Sequence, residues 1–81
     1  MAIFKVGVKV MPREVILDTQ GRAIEQSLKL NQLSVERCRV GRFVELEIGA
    51  NTAAAALEQA EVIAKKLLCN PLIENFEAKV L

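Results

Sequence analysis

The chain has no histidine, no tryptophan and no tyrosine, and three phenylalanines are its only aromatic residues. Without histidine, proton transfer near neutral pH would fall to carboxylates, lysines or the two cysteines, and none of these stands beside a recognisable nucleophile or base. The G-x-S-x-G, G-x-x-x-x-G-K-[ST] and G-x-G-x-x-G signatures are missing as well. An autonomous active site is therefore not expected, nor a cofactor site. Cys38 and Cys69 are far apart with no C-x-x-C spacing, so the usual zinc ligand sets cannot be assembled. Both read as small buried hydrophobes in a reducing compartment.

Other shortages narrow the partners. Eleven basic residues against ten acidic ones leave a net charge of +1, too little for a general field that gathers nucleic acid or anionic membrane. An RNA-binding sheet would also need aromatics on its central strands, and Phe4 and Phe76 are expected to face the helices, leaving only Phe43. No apolar run approaches a membrane span, and Met1 to Lys5 leads straight into an alternating pattern with no leader-like segment. A cytoplasmic protein with neither membrane nor nucleic-acid partners is expected.

What is present is aliphatic. The 81 residues are 52% hydrophobic and 26% charged, a composition that folds, and they read as one domain, 1–81, with no linker and no low-complexity tract. A core of this size is small, and association with a partner would help it. Phe4, Val6, Val8 and Val10 alternate with Lys5, Gly7 and Lys9 as in a half-buried strand, which Pro12 ends. Asp18 is a helix N-cap. Ala23, Ile24, Ser27, Leu28 and Asn31 then share one helical face, and the helix should end near Asn31 to Leu33.

Val35 to Ile48 reads as a hairpin with the loop Gly41-Arg42-Phe43. That odd loop puts Cys38 and Val40 on the same face as Val44, Leu46 and Ile48, and sets Arg39 opposite Glu45 and Arg37 opposite Glu47. Gly49 breaks the strand and Asn51 or Thr52 caps a second helix over Ala53–Leu68, its apolar stripe running from Ala53 and Ala56 to Leu67 and Leu68. Asn70 suits a left-handed position after the helix, Pro71 stops it, and Phe76, Ala78 and Val80 mark a last strand. The order β-α-β-β-α-β predicts an α+β fold, a four-stranded antiparallel sheet with two helices on one face, ferredoxin-like or related.

Two residues at the first helix break local rules. Gly21 falls inside the first turn and Arg22 places a cation at the positive end of the helix dipole, so neither serves the helix. Gly21 can admit another backbone, and Arg22 offers a planar fork of donors to an anion or a partner carboxylate; a tight internal contact beside a solvated arginine would satisfy the same observation. The sheet face away from the helices carries alternating charges fringed by Ile3, Phe43 and Leu81, which are candidates for a dimer interface.

Taken together, Leu17-Asp18-Thr19-Gln20-Gly21-Arg22-Ala23-Ile24, Arg39-Val40-Gly41-Arg42-Phe43-Val44-Glu45-Leu46 and Cys69-Asn70-Pro71-Leu72-Ile73-Glu74-Asn75-Phe76-Glu77 resemble the PurS family over nearly the whole chain. That family more often has Asp-Pro-Gln-Gly where this chain has Asp18-Thr19-Gln20-Gly21. The resemblance implies a non-catalytic small subunit of phosphoribosylformylglycinamidine synthase in de novo purine synthesis. Such a subunit forms a homodimer or higher oligomer and bridges a glutaminase subunit and a synthetase subunit, with ATP and magnesium held by the synthetase. On this reading Asp18, Gln20, Gly21, Arg22, Gly41, Arg42, Asn70 and Pro71 are candidate partner contacts. The alternative carried by composition and strand order alone is a small-molecule-sensing regulatory dimer.

Overall fold

The computed structural model describes residues 1–81. Strand β1 (Ala2–Pro12), helix α1 (Thr19–Leu30), strand β2 (Arg42–Ala50), helix α2 (Ala53–Ile63) continuing through a π-helical turn (Ala64–Leu68), and strand β3 (Glu74–Val80) follow in that order. The sheet has three strands in the order β2-β1-β3, both pairs antiparallel. The expected α+β class holds and the four-stranded sheet does not.

The core is built from one face of the sheet and one stripe of α2. Val6, Val8 and Val10 are wholly buried on β1, and Ile48 and Ala50 join them from β2. Ala56, Ala60 and Ala64 recur every fourth residue along α2, and these small side chains let the helix lie close on the valines. Thr52 caps the helix, its hydroxyl accepting from the Ala55 N–H at 3.1 Å. At the other end the Cys69 N–H reaches back five residues to the Ala64 carbonyl at 3.0 Å, the bond of a π turn. Asn70 does not take the left-handed conformation expected of it; its side chain instead accepts from the Leu72 N–H in a local turn. Gln32 is the residue with positive φ, and the Leu33 N–H bonds the Leu28 carbonyl at 2.8 Å, closing α1 with a Schellman-type bond.

Pro12 sits where its missing N–H costs nothing. The Leu81 N–H bonds the Lys5 carbonyl and the Arg13 N–H bonds the Ile73 carbonyl, so the odd residues of β1 face β3 and the even ones face β2. At Pro12 the β2 ladder has already ended, since it runs only to Val10 opposite Arg42. Gly49 does not end β2, which continues to Ala50.

The predicted hairpin of Val35 to Ile48 is absent. Residues 37–41 run extended into β2 instead of folding back on it, and β1 is the partner of β2. The reason lies in the N–H groups of Cys38 and Val40, which donate to the carboxylates of Glu25 at 2.9 Å and Asp18 at 2.7 Å. The expected cross-strand pairs do not form within the chain: Glu14 takes Arg37 at 2.6 Å and Arg39 at 3.0 Å, while Lys5 takes Glu45 at 3.3 Å. Alternation of apolar residues specifies a strand and its face, and says nothing about which edge completes it.

The two helices also do not share a sheet face. α2 covers the sheet; α1 packs against the 37–41 segment and makes no extended contact with the strands or with α2. Together α1 and residues 31–41 form an arm projecting from the body, and the molecule measures 51 × 26 × 15 Å. Its radius of gyration is 16.0 Å, against about 12 Å for a compact chain of this length. Ile24, Leu30, Leu33 and Val35 on the arm remain exposed.

Two glycines mark close approaches of different hardness. A Cβ on Gly21 would lie 2.3 Å from the Cys38 carbonyl oxygen and 2.6 Å from the Asp18 carboxylate, so backbone must move. A Cβ on Gly7 would meet the Phe43 ring at 2.4 Å, a side chain that can swing toward solvent. Gly21→Ala is therefore expected to destabilise by about 1–3 kcal/mol despite its better helix propensity, and Gly7→Ala by clearly less. Paired urea unfolding curves check the ranking.

A glycine-lined groove at the root of the arm

Where the arm meets the body, Pro12, Ile16, Leu17, Asp18, Thr19, Gln20, Val40, Gly41, Arg42, Ile73 and Glu74 line one open groove of about 450 Å³. The three stretches singled out in the sequence, from the α1 start, the β2 start and the segment before β3, converge on it. Asp18 anchors the convergence. One carboxylate oxygen accepts from the Gly21 N–H at 2.8 Å as an N-cap, and the other accepts from the Val40 N–H at 2.7 Å. These two N–H bonds, Gly21 first, lower the Asp18 pKa. Gly41 packs so tightly that a Cβ there would lie 2.2 Å from the Val10 carbonyl oxygen, which keeps one wall of the groove bare backbone.

Arg42 begins β2 and is no hairpin tip. Its guanidinium grips Glu74 through two bonds of 2.7 and 3.1 Å and also reaches the Leu68 carbonyl at the end of the π turn. Glu74 in turn accepts from the Asn70 N–H at 2.8 Å. The pair is held charged: the Arg42 bond, then the Asn70 N–H, lowers the Glu74 pKa, and the Glu74 bond raises that of Arg42. Arg13 fastens the same corner, donating twice to the Pro71 carbonyl at 3.0 and 2.6 Å. Arg42 is thus a clasp joining sheet, helix end and the 70–74 turn, a role hidden in the sequence because Glu74 is 32 residues away.

The other candidates fall in three places. Gln20 opens into the groove; Asn70 and Pro71 lie at the turn beside it; Gly21 is buried in the α1 contact with Cys38. Arg22 points into a neighbouring hollow with Glu14, Glu25, Arg37, Cys38 and Arg39, exposed and without an ion-pair partner in the chain. Phe43 and Leu81 lie over Gly7 on the open sheet face, 59% and 58% exposed, and Ile3 stands opposite Gly49 on the same face. Sequence reasoning missed Glu14 and Arg13. Both sit in the loop after β1, and no local pattern distinguishes them from solvated charges.

The arrangement is chemically suited to binding. Glu14, Asp18, Glu74 and Glu77 all have lowered pKa values, so they are ionised near neutral pH and poor proton donors there. Fold and groove define a small α+β assembly subunit, with an arm short of packing partners, open strand edges and a rigid corner for contact. The chain belongs to the PurS family: residues 5–81 match its family model, described as phosphoribosylformylglycinamidine (FGAM) synthase.

Two relatives agree along all or nearly all of their length. The phosphoribosylformylglycinamidine synthase subunit PurS of Thermotoga maritima is 32% identical over 82 residues, covering 100% of both chains, and that of Bacillus subtilis is 32% identical over 96% of this chain and 93% of its own. Among solved structures, the T. maritima purS subunit superposes with a TM-score of 0.93 at 31% identity, covering 99% of this chain and 93% of that one. A chain of the T. maritima PurLQS structure superposes with a TM-score of 0.92 at 32% identity over 100% of both. This chain is accordingly a subunit of phosphoribosylformylglycinamidine synthase.

Asp18 ties folding to pH. Its lowered carboxyl pKa contributes stability that is complete above the ordinary aspartate range and lost as pH falls through the folded value. Asp18→Asn should lower the melting temperature at pH 7 and flatten its fall below about pH 4, as read by thermal melts across pH. Arg42→Ala should lower the melting temperature at pH 7, whereas Arg22→Ala should leave it unchanged or slightly raised.

Proposed function

We propose that this chain works as a homodimeric bridge between the glutaminase and ATP-dependent synthetase subunits of its enzyme and contributes no reacting group itself. ATP and magnesium belong to the synthetase on this reading, and the protein acts in the cytoplasm. The observation that carries the proposal is the full-length match to a chain within the T. maritima PurLQS structure. The arm supports it: a 12-residue helix without a sheet to pack on is marginal by itself, so α1 needs a constant companion.

Bridging earns its rate advantage from position. Ammonia released at one subunit and used at another escapes into water unless the two sites are held together, and fixing their separation replaces an encounter from bulk solution. The groove at the arm's root offers a rigid surface for one partner, and Arg22 offers an unpaired guanidinium for a partner carboxylate. No helix is long and apolar enough to cross a membrane. A net charge of +1, with Lys9 and Lys5 on the open face already paired to Glu77 and Glu45, argues against a nucleic-acid partner.

Omitting this chain from the reconstituted enzyme should abolish most glutamine-dependent product formation and spare most of the rate with ammonium salt, because free ammonia reaches the synthetase without a bridge. Equal loss of both rates would refute bridging and assign the chain an effect on synthetase conformation. Arg22→Ala should weaken assembly in sedimentation with the larger subunits at unchanged melting temperature.

A further inference from the structure

The hollow beside α1 holds more donors than acceptors. The loop after β1, α1 and the 37–41 segment enclose about 420 Å³, and Glu14, Asp18, Arg22, Glu25, Arg37 and Arg39 are its charged residues. Its carboxylates are already committed within the chain. Asp18 accepts from the Gly21 N–H at 2.8 Å with one oxygen and from the Val40 N–H at 2.7 Å with the other, and Glu25 accepts from the Cys38 N–H at 2.9 Å. Glu14 gives one oxygen to Arg37 at 2.6 Å and the other to Arg39 at 3.0 Å.

The cations are not used up in the same way. Arg37 binds through Nη1 and keeps Nε and Nη2 free; Arg39 spends Nη1 on Glu14 and Nη2 on the Pro12 carbonyl and keeps Nε. Arg22 takes part in none of the bonds in the hollow and has no ion-pair partner, so every donor of its guanidinium is available. A second hollow continues along α1 past Arg22 and Glu25 to Gln26 and Lys29. Glu25 stands four residues before Lys29, the spacing of a helical ion pair, yet it is drawn to the Cys38 N–H and Lys29 has no ion-pair partner. Cations therefore outnumber carboxylates here, and the carboxylate oxygens face inward.

The shape of the deficit selects the ligand. A carboxylate presents one flat edge and suits a single guanidinium, whereas the oxygens of a phosphate diverge and can accept from guanidinium groups carried by different elements. A phosphate group also brings a charge of about −1.5 to −2 near pH 7, which matches a surplus of cations better than one carboxylate does.

We infer that this hollow is a binding site for a phosphate group, free or carried by a small metabolite, with Arg22 as its principal ligand and the unused donors of Arg37 and Arg39 reaching it from the 37–41 side. The site goes beyond bridging. It gives a use to the residue that the helix does not want, because an anion beside Arg22 offsets its repulsion from the positive end of α1. A guanidinium has donors on two edges of its plane, so Arg22 can hold a phosphate in the hollow with one edge and meet a partner carboxylate with the other.

Titration calorimetry of the full chain with inorganic phosphate, against chloride at matched ionic strength, should show one site per chain with millimolar or tighter affinity. Arg22→Ala should weaken it by about fivefold or more, and Arg22→Lys should recover only part of the loss, since an ammonium lacks the fork. Cys38 lines the hollow and Cys69 lies outside it, so peptide mapping after iodoacetamide treatment should show phosphate slowing the modification of Cys38 but not that of Cys69. Glycerol 3-phosphate in the same titration distinguishes the sources: tighter binding than inorganic phosphate assigns the site to an ester, and equal or weaker binding assigns it to the free ion. Phosphate that binds no better than chloride, or that binds Arg22→Ala as well as the unaltered chain and leaves Cys38 unprotected, is an adventitious ion only and overturns the site. None of these measurements involves the larger subunits, so that failure leaves the bridging reading standing.

Discussion

The path of the chain depends on one carboxylate. Asp18 accepts from Gly21 at the start of α1 and from Val40 just before β2, so a single side chain ends one segment and directs another. With Glu25 holding the Cys38 N–H, it occupies the inner edge of the 37–41 segment. That segment then cannot form a ladder on the inner side and runs straight into β2. The elongated molecule and the projecting arm follow from it.

Gly21 is the steric condition for this arrangement. Its hydrogen sits where any larger side chain would strike the Cys38 carbonyl or Asp18 itself, so the helix that Asp18 caps can approach the strand that Asp18 holds. The internal reading of Gly21 and the partner reading of Arg22 therefore separate: the glycine is consumed inside the arm, and the arginine beside it stays free of ion pairs. Gly41 plays a similar part at the groove wall against Val10. Around these contacts Arg42, Glu74 and Arg13 fasten the 70–74 turn to the sheet and to the end of the helix.

A subunit of this kind need not complete its own core. Val6, Val8 and Val10 with three alanines of α2 make a small, dry centre, and the apolar residues of the arm are left over. In an enzyme assembled from several chains, such a remainder supplies association energy, since apolar area kept in water by one chain is removed by contact with another.

The sequence by itself determined most of the elements: the alternation of β1, the cap at Asp18, the alanine stripe of α2 and the last strand all carry their period in adjacent residues, whereas the strand expected before Gly41 does not form. It also carried the family resemblance, but not the partners of Arg37 and Arg39, which go to Glu14 and not to Glu47 and Glu45. Only the tertiary structure decided that 37–41 continues β2, that β1 takes the centre of the sheet, and that Arg42 clasps Glu74. Local periodicity encodes which side of a strand is apolar. It does not encode which edge is filled, because backbone N–H and C=O groups are the same in every residue but proline, and the choice between a strand and a carboxylate rests on contacts between residues distant in the sequence.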